Sequence, residues 1–259
     1  MTIVRLDLAY DGSDFHGWAR QPGRRTVEGV LLDALARVLR ERPALSVAGR
    51  TDAGAHARGQ VASFRSNEDE DPGRIQRAVN GMLAPEIVVV RASRAPDRFD
   101  ARRSAASREY RYRVSLAAVP DPFTARFTWH RPGSLTLGAM RVAAKHLVGE
   151  HDFSSFCRPP PAGSTVRRLE RLSVATRGES LEIAARANSF LHQMVRSLVG
   201  ALVAVGEGKL DPDSMPAVLA ARDRAAAGPM APPHGLTLER VVYGGRERGE
   251  PLTEQQIRR

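Results

Sequence analysis

GRTDAGAHA, at residues 49–57, places one carboxylate, Asp52, in a glycine-flanked loop between two strand-like segments. Residues 45–48 are typical of a short strand before the loop. After the loop, residues 60–64 alternate polar and apolar side chains, as a half-buried strand does. We therefore expect a rigid sheet to present Asp52 on a loop, which is where binding and catalytic residues concentrate.

The residues around Asp52 support two interpretations. An aspartate two positions before a glycine often caps a turn through its own backbone amides. Alternatively, Arg50 and His56 place cationic or titratable groups within four positions of the carboxylate, an arrangement suited to binding an anionic ligand. The local pattern alone does not separate a turn cap from a functional acid.

The stretch at 49–57 resembles GRTDAGVHA, the signature of the tRNA pseudouridine synthase A family, and differs from it only at Ala55. Further matching blocks stand in the family's order over most of the chain, so chance is a poor explanation. These blocks are Tyr10-Asp11-Gly12, Gly17-Trp18, Gly59-Gln60-Val61, Ala101-Arg102, Arg108-x-Tyr110-x-Tyr112, Asn188-x-Phe190, Met194-Val195-Arg196 and Gly235-Leu236-x-Leu238. The family's usual Gln, Gln and Thr are replaced by Ala19, Glu28 and Met230.

Length and composition indicate an ordinary globular protein. The 259 residues suit one large domain or two small ones, and 42% of them are hydrophobic. No run approaches the ~20 apolar residues of a membrane span, and the first residues lack a signal-peptide pattern, so we expect a cytoplasmic protein. The single cysteine, Cys157, excludes an internal disulfide and a multi-cysteine zinc site.

The charge of the chain indicates a polyanionic partner such as RNA. The net charge is +10 and the pI is near 10.9, and each phosphate that a cation neutralises releases counterions. Lysine is nearly absent, however, with only Lys145 and Lys209. Such an arginine bias beside abundant alanine also follows from coding composition, so the charge is compatible with RNA binding without establishing it.

Apolar periodicity predicts the element order β-α-β-β-α-β twice. In the first copy we expect strands at residues 3–10, 45–48, 60–64 and 87–90, with helices that begin after Thr26 and at Pro72. In the second copy we expect strands at 110–116, 166–175, 181–187 and 236–243, helices at 136–147 and 190–205, and a further short helix at 213–221.

Two such copies predict an α/β (α+β) fold of two ferredoxin-like halves, each leaving one sheet face available to a ligand. We expect an N-terminal domain at 1–104, a C-terminal domain at 105–246 and a polar tail at 247–259. The acidic run at 67–71 is expected to be a solvated loop, and the proline-rich segment at 158–168 either contacts RNA or is a plain linker. The resemblance implies that the halves join in one mainly antiparallel sheet, with an RNA-binding cleft between them, and that the protein is a homodimer.

The resemblance also implies an isomerase that converts uridine to pseudouridine at positions 38, 39 and 40 of the tRNA anticodon stem-loop. This reaction moves the glycosidic bond from N1 to C5 of uracil with no net gain of atoms or electrons. We therefore expect no nucleotide, redox or metal cofactor, and the sequence contains none of the corresponding motifs. Asp52 is the expected catalytic residue, which either attacks C1′ or removes a proton from C2′.

Residues far from Asp52 in sequence receive roles through the same resemblance. Arg196 is expected to pair with Asp52, because a carboxylate in a closed cleft needs a cation; a solvated helix arginine is the alternative. Tyr110 is expected to stack on the target uracil, with core packing as the alternative, and Tyr112 to face the core. Arg50 is expected to contact phosphate and act as a wedge for a flipped nucleotide.

His56 and Leu236 each have two possible roles. His56 either contacts phosphate or orders its loop, and Leu236 either forms an apolar wall beneath the uracil or packs in the core. Two other functions also fit the pattern: a synthase with another RNA or nucleotide target, and a catalytically idle RNA-binding module. A nucleoside hydrolase is disfavoured, because no second catalytic carboxylate is assigned.

Overall fold

The computed structural model describes residues 2–66, 70–158 and 162–244. The first part of the chain forms β1 (Thr2–Tyr10), α1 (Val27–Leu39), β2 (Ser46–Val47), β3 (His56–Ser66), α2 (Pro72–Leu83) and β4 (Ile87–Ala95). The second part forms β5 (Ala105–Ser115), β6 (Trp129–His130), α3 (Leu137–Leu147), β7 (Gly149–Asp152), β8 (Val166–Arg177), β9 (Ser180–Ala187), α4 (Met194–Gly206), α5 (Met215–Ala221) and β10 (Leu236–Tyr243).

Local capping sets the start of the first two helices. The Thr26 side chain accepts a hydrogen bond from the Gly29 amide and begins α1, and the Asp71 carboxylate accepts from the first amides of α2. Pro72 occupies the first turn of α2, where its missing amide proton costs no hydrogen bond. Both helix starts lie where the sequence predicts them.

One ten-stranded sheet runs through both parts of the chain, in the order β4-β1-β3-β10-β5-β9-β8-β7, with β2 on β3 and β6 on β5. Most neighbouring strands are antiparallel. The two halves meet where β10 pairs with β3 in parallel, through Thr237 opposite His56 and Leu238 opposite Ala57. The predicted α/β fold with a continuous, mainly antiparallel sheet is confirmed. The first half has the predicted order β-α-β-β-α-β, whereas the second half adds the short strands β6 and β7 and the helix α5 to it.

The helices pack pairwise against the sheet. In the first half α1 lies on α2, which packs on β4; in the second half α3 packs on both α4 and β8. The burial of β9 alternates along the strand, as expected when one face of a strand meets a core. Helix α4 differs from the others, because every residue in it is buried except Arg196.

Some predicted boundaries differ from the observed ones. The helix predicted at 190–205 begins only at Met194, because Gln193 has a left-handed backbone with φ of 65° and the preceding residues form a turn. Strand β5 begins at Ala105 rather than at 110, since its early residues pair with β10, a contact that local sequence does not reveal. The short strands β6 and β7 were not predicted.

Several predictions fall on residues outside the described ranges. The polar tail at 247–259 is one, and parts of the acidic run at 67–71 and of the segment at 158–168 are the others. Among the described helices, none has the length and apolar character that a bilayer crossing requires.

Candidate active site

The loop that carries Asp52 is held by a segment that follows β1. The Trp18 amide donates to the Thr51 carbonyl at 3.0 Å, and the Gly54 amide donates to the Phe15 carbonyl at 3.2 Å. These backbone bonds fix the loop on both sides of Asp52, so the carboxylate is presented by a rigid frame.

Two glycines allow this close approach. A Cβ at Gly12 would lie 1.9 Å from the Ala55 carbonyl oxygen, which no side chain tolerates. Gly17 has a φ of +85°, and a Cβ there would lie 2.9 Å from the Thr51 carbonyl oxygen. Both glycines belong to blocks of the sequence resemblance, and their role is to let two loops meet.

The two carboxylate oxygens of Asp52 have different partners, both from the second half of the chain. Arg196 Nη1 lies 2.9 Å from Oδ2, and His192 Nε2 lies 3.4 Å from Oδ1. The Asp52 and Arg196 side chains are 16% and 11% exposed, whereas the His192 side chain is 52% exposed. Asp52 and Arg196 therefore form a largely desolvated ion pair, with His192 on its open side.

Backbone contacts to a neighbouring segment orient the Arg196 guanidinium. Its Nε donates to the Ala231 carbonyl at 2.8 Å, and the Ala231 amide donates to the Arg196 carbonyl at 3.1 Å. This segment lies directly on α4, since a Cβ at Gly200 would be 1.9 Å from the Pro229 carbonyl oxygen. The guanidinium is thus fixed before any ligand arrives.

His192 is the residue that the sequence analysis did not identify. It lies in the turn immediately before α4, where its carbonyl accepts a hydrogen bond from the Arg158 amide at 3.1 Å. The prediction of a helix from residue 190 placed it on a regular helix, where it carried no signal beyond its position four residues before Arg196. Only the observed turn and the approach of the Asp52 loop bring its ring to the carboxylate.

Tyr110 lies beside the same loop. It is buried, it meets Phe190 edge-to-face at a centroid distance of 5.1 Å, and a Cβ at Gly49 would be 3.3 Å from its hydroxyl. Burial raises the pKa of the Tyr110 phenol, and the nearby Asp52 carboxylate acts in the same direction, so the hydroxyl stays protonated. Tyr112 faces the core, as predicted, and its hydroxyl donates to the Pro232 carbonyl at 2.7 Å.

His56 is 2% exposed, and protein groups surround both of its ring nitrogens. The Gly12 amide donates to Nδ1 at 3.0 Å, and Nε2 lies 3.0 Å and 3.1 Å from the carbonyl oxygens of Arg126 and His234. Burial lowers the pKa of the imidazole, although the neighbouring Asp11 carboxylate opposes this shift. The contacts favour the loop-ordering role over direct contact with phosphate.

Arg50 and Leu236 lie in contrasting environments. Arg50 is exposed, and within the described ranges it has no hydrogen bond or ion pair. Leu236 is buried in the core cluster at the start of β10, opposite Tyr112 in the strand register. Arg50 is therefore available to a ligand, whereas Leu236 already contributes to packing.

The described part of the chain contains no cluster of three or more His, Cys, Asp or Glu side chains arranged to hold a metal ion. The chemistry of the site is that of one carboxylate with two nitrogen partners. Such a carboxylate acts as a nucleophile or a base, and the guanidinium of Arg196 offsets part of the cost of removing it from water.

Comparison with known proteins identifies the family. The family model described as tRNA pseudouridine synthase matches residues 8–102 and 143–244. A protein of Frankia casuarinae named tRNA pseudouridine synthase A is 50% identical over 246 residues, which cover 93% of this chain and 89% of the relative. A protein of the same name from Rhizobium meliloti is 44% identical over 250 residues, which cover 94% of this chain and all of the relative.

Similarity to solved structures is weak. A chain of the archaeal box H/ACA sRNP Nop10-Cbf5 complex matches with a TM-score of 0.36 and 13% identity, over 78% of this chain and 44% of that chain. A likeness of this size supports no statement about the fold, and the sequence relatives carry the conclusion. The chain belongs to the tRNA pseudouridine synthase family.

Proposed function

We propose that this protein is a tRNA pseudouridine synthase that isomerises uridine to pseudouridine at positions 38, 39 and 40 of the anticodon stem-loop. The observation that carries the proposal is the ion pair between Asp52 and Arg196, which spans the two halves of a chain that belongs to this family. The reaction needs a carboxylate that a cation positions in the cleft, rather than one that caps its own turn.

Asp52 acts on the sugar of the target nucleotide. It either attacks C1′, which releases the uracil as an anion, or removes the C2′ proton, which expels the uracil anion and leaves the sugar as a glycal with a C1′=C2′ double bond. Arg196 holds Oδ2, so Oδ1 is the oxygen that faces the reacting sugar. The released uracil turns and rejoins C1′ through C5. On the first route this displaces the Asp52 carboxylate from C1′, and on the second route Asp52 returns its proton to C2′ of the glycal.

Tyr110, Arg50 and Leu236 bind the target nucleotide in this proposal. Tyr110 contacts the uracil beside the Asp52 loop, and base stacking of this kind contributes about 1 to 3 kcal/mol. Arg50 is exposed and contacts phosphate as the nucleotide leaves the helical stack. Leu236 forms the apolar floor of the pocket while it packs in the core, and His56 orders the loop around Asp52.

A basic cleft in the first half supports binding of an RNA backbone. Its arginines are Arg20, Arg24, Arg25 and Arg42. Arg25 and Arg42 pair with Glu86 and Asp33, whereas the guanidinium groups of Arg20 and Arg24 have no carboxylate partner in the described part of the chain. We further propose that the protein works as a cytoplasmic homodimer whose protomers divide into domains at 1–104 and 105–246.

Incubation of the purified protein with unmodified tRNA, followed by mapping of pseudouridine, tests the function. We expect modification at positions 38, 39 and 40 by the native protein and none by Asp52→Asn, which keeps the size of the side chain but removes the carboxylate. Asp213→Asn, at an exposed carboxylate that pairs with His146 away from the basic cleft, is the matched control and stays active. Modification only outside the anticodon arm would overturn the positions, and tRNA binding without modification would favour a binding module.

A further inference from the structure

The short segment at 231–234 contacts both sides of the ion pair. At its start, the Ala231 carbonyl accepts a hydrogen bond from Nε of Arg196 at 2.8 Å. At its end, the His234 carbonyl lies 3.1 Å from Nε2 of His56, which directly follows the loop that carries the catalytic acid. The cation and the acid loop, which come from different halves of the chain, are thus joined by four consecutive residues.

Two consecutive prolines make the middle of this segment stiff. Each proline ring fixes φ at about −65°, so few bond rotations remain that could absorb a displacement of Pro232. Pro233 also packs on the acid loop itself, since a Cβ at Gly54 would lie 3.2 Å from Cγ of the proline ring. A displacement of Pro232 is therefore passed to Arg196 on one side and to the Asp52 loop on the other.

The Tyr112 side chain holds the segment at Pro232. Its hydroxyl donates to the Pro232 carbonyl at 2.7 Å, and its ring lies against Gly235, where a Cβ would be 2.6 Å from Cε1 and Cζ. Burial raises the pKa of the Tyr112 phenol, although the charge of Arg196 opposes this shift, so the hydroxyl keeps its proton and donates it. Because the Tyr112 side chain is fully buried, it reaches the site through this contact and not by touching RNA.

We propose that Tyr112 is a positioning residue that, through the Pro232 carbonyl, fixes the placement of Arg196 relative to Asp52, an inference that rests on the proposed function. The two charged groups come from opposite halves of the sheet, so no single strand sets the distance of 2.9 Å between Nη1 and Oδ2. A catalytic group that is misplaced by about 1 Å can lower a rate by about 100-fold. Tyr112 does not touch the reacting atoms; it acts on the geometry of the groups that do.

The test is single-turnover pseudouridine formation at saturating tRNA in Tyr112→Phe, which removes only the hydroxyl. We expect the rate to fall by about 10-fold, while the affinity for tRNA stays unchanged because no RNA contact is lost. Tyr243→Phe is the matched control, since the Tyr243 hydroxyl is also buried and donates to the Ala101 carbonyl at 2.8 Å, at the opposite end of β10 from Leu236. Both variants lower the Tm by a similar amount, about 2 to 4 °C, but Tyr243→Phe keeps the native rate.

A double-mutant cycle with Arg196→Met separates positioning from general packing. Once the guanidinium is gone, the Tyr112 hydroxyl has no cation to position, so we expect Tyr112→Phe to slow Arg196→Met by less than about 2-fold. A further 10-fold fall in the double variant overturns the inference, as does a native rate in Tyr112→Phe or an equal loss of rate in Tyr243→Phe. A native protein that forms no pseudouridine overturns the proposed function as well, so the two failures are distinguishable.

Discussion

Helices α2 and α4 occupy corresponding places in the two halves of the molecule, since each is the second helix of its half. Helix α2 buries only Ile75 and Val79, whereas α4 buries all of its residues except Arg196. The third residue of each helix is an arginine, Arg74 in α2 and Arg196 in α4.

The difference between these helices shows how one topology serves two purposes. Arg74 is 52% exposed and pairs with Glu70, which precedes α2 and is 11% exposed, so water reaches the arginine side of the pair. Arg196 is enclosed, because α3 and the segment at 229–231 cover α4, and it pairs with an acid from the other half of the chain. Arg196 therefore belongs to a site because neighbouring segments pack over α4, and not because α4 is the second helix of its half.

The largest effect expected from this comparison concerns the two arginines. Arg196→Met leaves the Asp52 carboxylate in a closed cleft without its cation, and we expect single-turnover pseudouridine formation to fall by about 100-fold or more. Arg196→Lys recovers part of the loss, because it restores the charge but not the shape of the guanidinium. Arg74→Met keeps the native rate and changes stability by less than about 0.5 kcal/mol.

Rates and tRNA affinities of these three variants, measured side by side, test whether only the enclosed arginine contributes to catalysis. Equal losses in Arg196→Met and Arg74→Met would show that the cover over α4 has no functional consequence. A loss of tRNA affinity without a loss of rate at saturating tRNA would make Arg196 an RNA contact.

A smaller effect of opposite sign in the two helices is expected at their glycines. A Cβ at Gly200 in α4 meets the Pro229 carbonyl at 1.9 Å, whereas a Cβ at Gly81 in α2 meets nothing within 4 Å. We expect Gly200→Ala to destabilise the protein by about 1 to 3 kcal/mol and Gly81→Ala to stabilise it by up to about 1 kcal/mol through helix propensity. Chemical denaturation of both variants measures the difference, and a shift of the same sign in both would contradict it.

The smallest expected effect distinguishes a surface arginine that only binds RNA from the enclosed Arg196. Arg24→Gln removes a cation from the basic cleft of the first half. We expect the slope of log affinity for tRNA against log salt to decrease by about one unit, with an unchanged rate at saturating tRNA. Titrations at several salt concentrations check this, and an unchanged slope would place the RNA backbone elsewhere.

Much of the fold follows from local sequence because its signals are local. Thr26, Asp71 and Pro72 define helix starts by capping chemistry, and alternation along 181–187 marks a half-buried strand. These local signals give the element order of the first half, and in the second half they give every element except the short strands β6 and β7. The domain division at residue 104 and the dimer stay predictions.

The parts that sequence did not predict depend on contacts between distant segments. The contact of His192 with Asp52 requires a left-handed Gln193, which no propensity favours, and a carboxylate from a loop 140 positions earlier. The carbonyl contacts of His56 come from Arg126 and His234, which only the folded chain brings together. Arg196 was predicted from the resemblance, since a helical arginine by itself is more often solvated.

The short parallel ladder between β3 and β10 has a consequence for protein synthesis. Asp52 leaves the ribosome 144 residues before Arg196, and β10 is the last described strand to be made. Pairing over such a distance forms late, because a long loop must close first. Until Arg196 is made, the nascent chain carries Asp52 without its cation. Until β10 is made, the edge of β3 at His56 and Ala57 stays open to chaperones or to wrong partners.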